Sequence, residues 1–101
     1  MTIDVLLSGR LKLDGYGRNW PQNRDGTFRL ELRPDGTVPE VIEGMGVPPD
    51  RVALTMVNGR ISRNLTNLKS GDRVILIPSD VAALWRHLGV MNMGQESVFD
   101  F

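Results

Sequence analysis

Val57-Asn58-Gly59-Arg60 followed by Ser70-Gly71-Asp72-Arg73-Val74-Ile75-Leu76-Ile77-Pro78 is the stretch on which the fold turns. Asn58-Gly59 is the strongest short-range turn signal in the chain, because both central positions of a type I′ turn need positive φ. Arg51 to Val57, rich in Val, Leu, Thr and Met, supplies the strand that enters this turn, and Arg60 to Arg63 pairs back only briefly. Asn64 to Asp72 is a connector containing the turn Ser70-Gly71-Asp72. Arg73 to Pro78 is apolar from Val74 to Ile77, the pattern of a central strand buried on both faces.

Upstream lies a short helix, about Val38 to Met45. Pro34-Asp35-Gly36 is a turn, and Thr37 with Glu40 has the spacing of a capping box. Pro39 sits in the first turn, where its missing N–H costs little. Val38, Val41, Ile42 and Met45 follow helical spacing and face the sheet, and Gly46 with Pro48-Pro49 closes the helix. Before it, Thr27 to Arg33 alternates Phe28, Leu30 and Leu32 with Arg29, Glu31 and Arg33, a strand with one wet face. Asp14 to Gly26 is a polar, turn-rich loop whose only large apolar side chains are Tyr16 and Trp20. Ile3 to Leu7 reads as a strand buried on both faces, extended past Gly9 by Leu11 and Leu13, and paired with the second strand as a hairpin. The expected core is Val5, Leu7, Phe28, Leu30, Val41, Ile42, Leu54, Leu68, Val74 and Leu76.

Beyond Pro78, Ser79 or Asp80 is a good N-cap, and Val81, Leu84, Trp85 and Leu88 form an i, i+3, i+4, i+7 stripe stopped by Gly89. A helix over about 81–88 is expected, followed by a tail that ends in Val98-Phe99-Asp100-Phe101.

Strand, strand, helix, strand, short strand, strand is the β-grasp order of ubiquitin. The expected class is α+β: a mixed sheet of four or five strands with one main helix, the first and last strands being central, parallel neighbours. The domain spans 1–78, and 79–101 is a C-terminal helical extension. Gly36-Thr37-Val38, Gly46-Val47-Pro48, Val57-Asn58-Gly59-Arg60 and the run Leu65 to Pro78 resemble the sulfur-carrier branch of this fold. That branch comprises the molybdopterin synthase small subunit and the thiamine-pathway sulfur carrier (MoaD/ThiS-like). The resemblance covers roughly two-thirds of the chain, and it implies a C-terminal thiocarboxylate made by an adenylating enzyme and delivered to a larger enzyme subunit.

The sequence departs from that family after Pro78. Family carriers stop at Gly-Gly, whereas Val81-Ala82-Ala83 stands about where such a tail would finish. An extended tail rises ~3.3 Å per residue and is thin. A helix rises only ~1.5 Å per residue and is about 10 Å wide, too bulky for a narrow active-site channel. The expected function is a non-catalytic accessory module that binds a partner enzyme, with the carrier chemistry lost. The alternative is an active sulfur carrier for molybdopterin, tungstopterin or thiamine synthesis after C-terminal processing.

Composition serves mainly to exclude. Twelve basic and twelve acidic residues cancel, so no net charge steers the chain toward nucleic acid or an anionic membrane. No cysteine is present, and His87, the single histidine, cannot build a multi-histidine metal site. His87 reads as a helix-surface residue. Gly15-Tyr16-Gly17 opens no helix and so makes no phosphate loop. Arg18, Arg24, Tyr16 and Trp20 could meet an anion or nucleotide, but with Asp14 and Asp25 beside them the favoured reading is a solvated loop. No catalytic, cofactor-binding or metal-binding residue is expected, and a soluble cytoplasmic protein is. The candidate partner-binding residues are Trp85, Leu88, Val98, Phe99 and Phe101. The stripe carrying Trp85 packs either on its own sheet or on a partner. The terminal aromatics either fold back or insert into that partner.

Overall fold

The computed structural model describes residues 1–62 and 67–87, the last four by backbone alone. Its first strand, β1 (Thr2–Leu7), buries Ile3, Val5 and Leu7 and leaves Thr2, Asp4 and Leu6 half-buried. β2 (Phe28–Glu31), β3 (Leu54–Val57), β4 (Arg60–Ile61) and β5 (Arg73–Ile77) complete a mixed five-stranded sheet in the order β2-β1-β5-β3-β4. β1 and β5 run parallel, with Val5 opposite Val74 and Leu7 opposite Leu76. The β1–β2, β3–β5 and β3–β4 pairings are antiparallel. This is the expected β-grasp arrangement, with the first and last strands central.

The helices are α1 (Arg10–Leu13), α2 (Val38–Gly44) and α3 (Ser79–His87). α2 lies on the inner face of the sheet, where Val38, Val41, Ile42 and Met45 join Ile3, Val5, Leu7, Leu30, Leu68, Val74 and Leu76 in one buried cluster. Fully burying each such side chain contributes roughly 1.5–3 kcal/mol, so this face holds the fold together. α2 ends in a Schellman motif: the Val47 N–H donates to Ile42 O at 3.2 Å and the Gly46 N–H to Glu43 O at 3.0 Å, with Ile42 and Val47 both buried. The β3–β4 turn is as its sequence requires, with φ of 53° at Asn58 and 84° at Gly59.

Several expectations are corrected. Leu11 and Leu13 do not extend β1: Gly9 takes φ 55°, and the chain turns into the single helical turn α1. A strand would place both leucines on one face, whereas the helical turn buries Leu11 completely and leaves Leu13 79% exposed. Thr37 makes no side-chain cap to α2, and the Glu40 carboxylate is instead held by Arg33 through Nε at 3.0 Å and through Nη2. Phe28 and Leu54 are half-buried, while Leu11, Val38 and Val47 belong to the core. Neither central strand is sealed on both sides, since Leu6 of β1 and Ile75 of β5 remain half-buried. The last helix begins at Ser79, two residues before the expected start.

The α1 correction has a measurable consequence. Leu11→Ala should lower stability to urea by about 2–5 kcal/mol, while Leu13→Ala should stay within about 0.5 kcal/mol of the wild type. Equal losses for the two would restore the strand reading.

Candidate functional site

The face of the sheet turned away from α2 is built by the alternate side chains of the same strands. Registry places Leu6 beside Ile75, Ile75 beside Met56, and Met56 beside Ile61. The result is an apolar row crossing four of the five strands, with a second row formed by Leu54 beside Ile77. Leu6, Leu54, Met56 and Ile75 are half-buried, whereas Ile61 and Ile77 are buried although they lie outside the main core cluster. Cross-strand apolar pairs of this kind stabilise a sheet, and where they stay open to water they offer a partner a flat contact surface.

One end of this face is polar. Asp4 pairs in register with Arg73, and the long loop between α1 and β2 reaches over to them. Arg73 Nη2 lies 2.7 Å from Asp25 Oδ2, and Asn23 Nδ2 donates to Asp4 Oδ1 at 3.3 Å. Asp25 also accepts hydrogen bonds from Thr27 through Oγ1 at 2.6 Å and the backbone N–H at 3.0 Å. Those Thr27 bonds, with Arg73 adding a smaller effect, hold the Asp25 carboxyl below its usual range.

At its other end the loop is fastened to α2 and to the turn that follows it. Trp20 Nε1 donates to Gly44 O at 2.8 Å, satisfying a carbonyl in the last turn of the helix. Arg51 pairs with Asp14 at 2.6 Å, donates to the Tyr16 hydroxyl at 3.0 Å, and its guanidinium carbon is 5.7 Å from the Tyr16 ring centre. Hydrogen bonds to Asp14 first, and to Tyr16 second, raise the pKa of Arg51. The loop's charged residues Asp14, Arg18, Arg24 and Asp25 are exposed, as a solvated loop requires, but the segment is also anchored to its neighbours. Asp14 and Asp25 are engaged by Arg51 and Arg73, not by the arginines of the loop itself, and Tyr16 and Trp20 pack against the core.

Downstream, Pro78 is buried and α3 starts at once, with Ala82 N–H donating to Pro78 O at 3.1 Å. Val81-Ala82-Ala83, the segment at the position of a carrier's glycine tail, is helical, and Ala82 is buried. The chain matches the Mut7-C ubiquitin family over residues 19–83, more than half its length. The chain belongs to the Mut7-C ubiquitin family. Neither the curated proteins nor the solved structures returned a match. Membership supports the ubiquitin-like fold, and it places the chain under a different family heading from the sulfur carriers its motifs resemble.

Within this Mut7-C ubiquitin fold, the expected partner-binding residues divide in two. Trp85 falls on the backbone of α3, while Leu88, Val98, Phe99 and Phe101 lie outside the described residues. The outer face of a β-grasp sheet is a common docking surface, but Leu6, Met56, Ile61 and Ile75 were not among the expected contact residues. The signal of that row was present in Leu6 and Ile75, apolar residues at positions where a one-faced strand would carry polar ones. Among the described residues no group of His, Asp and Glu side chains could hold a metal ion, and no helix is long and apolar enough to cross a membrane.

The Asp25 arrangement makes a pH prediction. A depressed folded-state pKa contributes stability that is present above the unfolded value, about 3.9, and lost as pH falls through the folded value. Asp25→Asn should therefore unfold at lower urea than the wild type at pH 7, and the two midpoints should converge below about pH 4. A difference that stayed constant between pH 7 and pH 3 would separate the effect from the carboxylate.

Proposed function

We propose that this chain is a non-catalytic ubiquitin-like accessory module that docks a partner enzyme with the outer face of its sheet. The observation that carries the reading is the half-buried apolar row Leu6, Ile75 and Met56, which crosses β1, β5 and β3 on the side that the α2 core does not use, with the buried Ile61 closing it at β4. A β-grasp sheet needs only one apolar face to hold its helix, so an apolar second face calls for a further contact. Trp85 and, beyond the described residues, Leu88, Val98, Phe99 and Phe101 are proposed to extend the same contact. The family name sets the ubiquitin-like domain beside Mut7-C, so a Mut7-C polypeptide is the first partner to test.

The helix at Ser79–His87 weighs against carrier chemistry, because a carrier must present an extended chain where this one coils. The module therefore acts through its folded surface and not through a reactive terminus. Neither a cofactor nor a metal belongs to this role.

Two measurements test it. Calorimetric titration with a Mut7-C polypeptide should show saturable binding that Met56→Asp with Ile75→Asp weakens by at least about a hundredfold while circular dichroism stays unchanged. Equal affinity of wild type and variant would remove the outer face from the interaction. Incubation of the full chain with an adenylating enzyme, ATP and a sulfur donor should leave its mass unchanged, and an oxygen-to-sulfur exchange at its C-terminus would restore the carrier reading.

A further inference from the structure

The aromatic side chains among the described residues, Tyr16, Trp20 and Phe28, all line one pocket of about 510 Å³ on the loop side of the sheet. That volume lies within the range of small-molecule sites, roughly 300–1,000 Å³. All three rings are half-buried, so each keeps part of its surface open. Two of them are held at their polar tips: Trp20 by its hydrogen bond to Gly44 O and Tyr16 by Arg51. A ligand that stacks there has little ring motion left to freeze, which favours binding.

Lys12 and Arg18 stand at the same pocket, exposed, and neither side chain makes an ion pair or hydrogen bond among the described residues. The acids that could have neutralised them are engaged elsewhere, Asp14 by Arg51 and Asp25 by Arg73. The Arg18 side chain folds back over the loop. Gly15 has φ 78°, and a Cβ built on it would fall 2.3 Å from an Arg18 guanidinium nitrogen, so the guanidinium lies directly against the glycine backbone. The pocket thus sets fixed aromatic faces beside two uncompensated cations.

We propose that this pocket binds a nucleotide: a planar base against the Trp20, Tyr16 and Phe28 rings, with its phosphate at Lys12 and Arg18. Base stacking on aromatic side chains tolerates any base, and the guanidinium fork suits a phosphate. The pocket holds a single nucleotide unit. With the chain's acidic and basic residues in balance, no general positive field draws in a strand. This site is separate from the outer-face row, and the two readings stand or fall independently.

The test is amide and indole NMR of the ¹⁵N-labelled full chain titrated with AMP, adenosine, inorganic phosphate and a short oligonucleotide. AMP should give saturable shifts confined to residues 12–28 and to the Trp20 indole N–H, with adenosine and phosphate each at least about tenfold weaker. The double variant Lys12→Gln, Arg18→Gln, which alters only exposed side chains, should weaken AMP by at least about tenfold, and Met56→Asp should leave it unchanged. Four outcomes would overturn the proposal: no saturable shift up to about 5 mM AMP, phosphate binding as well as AMP, the double variant matching wild type, or binding of the oligonucleotide alone.

Discussion

The parallel pairing of β1 with β5 is the constraint on which the rest of this domain depends. It joins residues about seventy positions apart, Asp4 to Arg73 and Leu7 to Leu76, and aligns Val5 with Val74 beneath α2. Parallel neighbours cannot be joined by a tight turn, so the intervening chain has to leave the sheet and return. That requirement sends the chain out through the long loop, along β2, across α2 and back along β3 and β4. It also puts apolar residues on both faces of the sheet, Val5 and Val74 on one and Leu6 and Ile75 on the other. The family match over residues 19–83 omits β1, yet this strand lies at the centre of the sheet. The matched segment by itself lacks the strand that joins β2 to β5.

The loop between α1 and β2 is the second determinant. It is fixed by contacts to three separate elements: Trp20 to the end of α2, Asp14 and Tyr16 to Arg51, and Asp25 to Arg73 on β5. The two ion pairs are largely open to solvent and act mainly to set position. Together these contacts carry the aromatic residues to the inner side of the sheet and the Asp25 carboxylate to the outer side. One segment thereby shapes both surfaces.

The parts of the fold that were legible in the sequence are those written in local chemistry. Asn58-Gly59 called for positive φ at both positions and has it, and the spacing of Val38, Val41, Ile42 and Met45 turned all four toward the sheet, where they are buried. Leu11 and Leu13 misled because a spacing of two suits a strand, and only the turn at Gly9 sends one inward and the other outward. The loop anchors were invisible for a different reason: Trp20 and Gly44, or Tyr16 and Arg51, are distant in sequence and carry no shared period. The outer row was hidden in a two-fold ambiguity. Leu6 and Ile75 read the same whether a second apolar face is covered by the protein's own chain or reserved for another.

The sheet's margins bear on how any such contact can be made. β4 is only two residues long, and β2, the opposite margin, is four residues long with exposed Arg29 and Glu31. Short, charged edge strands are poor templates for adding another strand, which limits self-association into fibrils and disfavours partners that bind by extending the sheet. What these margins leave accessible is the broad surface, where side chains and not backbone amides do the recognising. Selectivity would then be written in the shapes of Leu6, Met56 and Ile75, and it could drift by substitution without disturbing the hydrogen-bond ladder beneath.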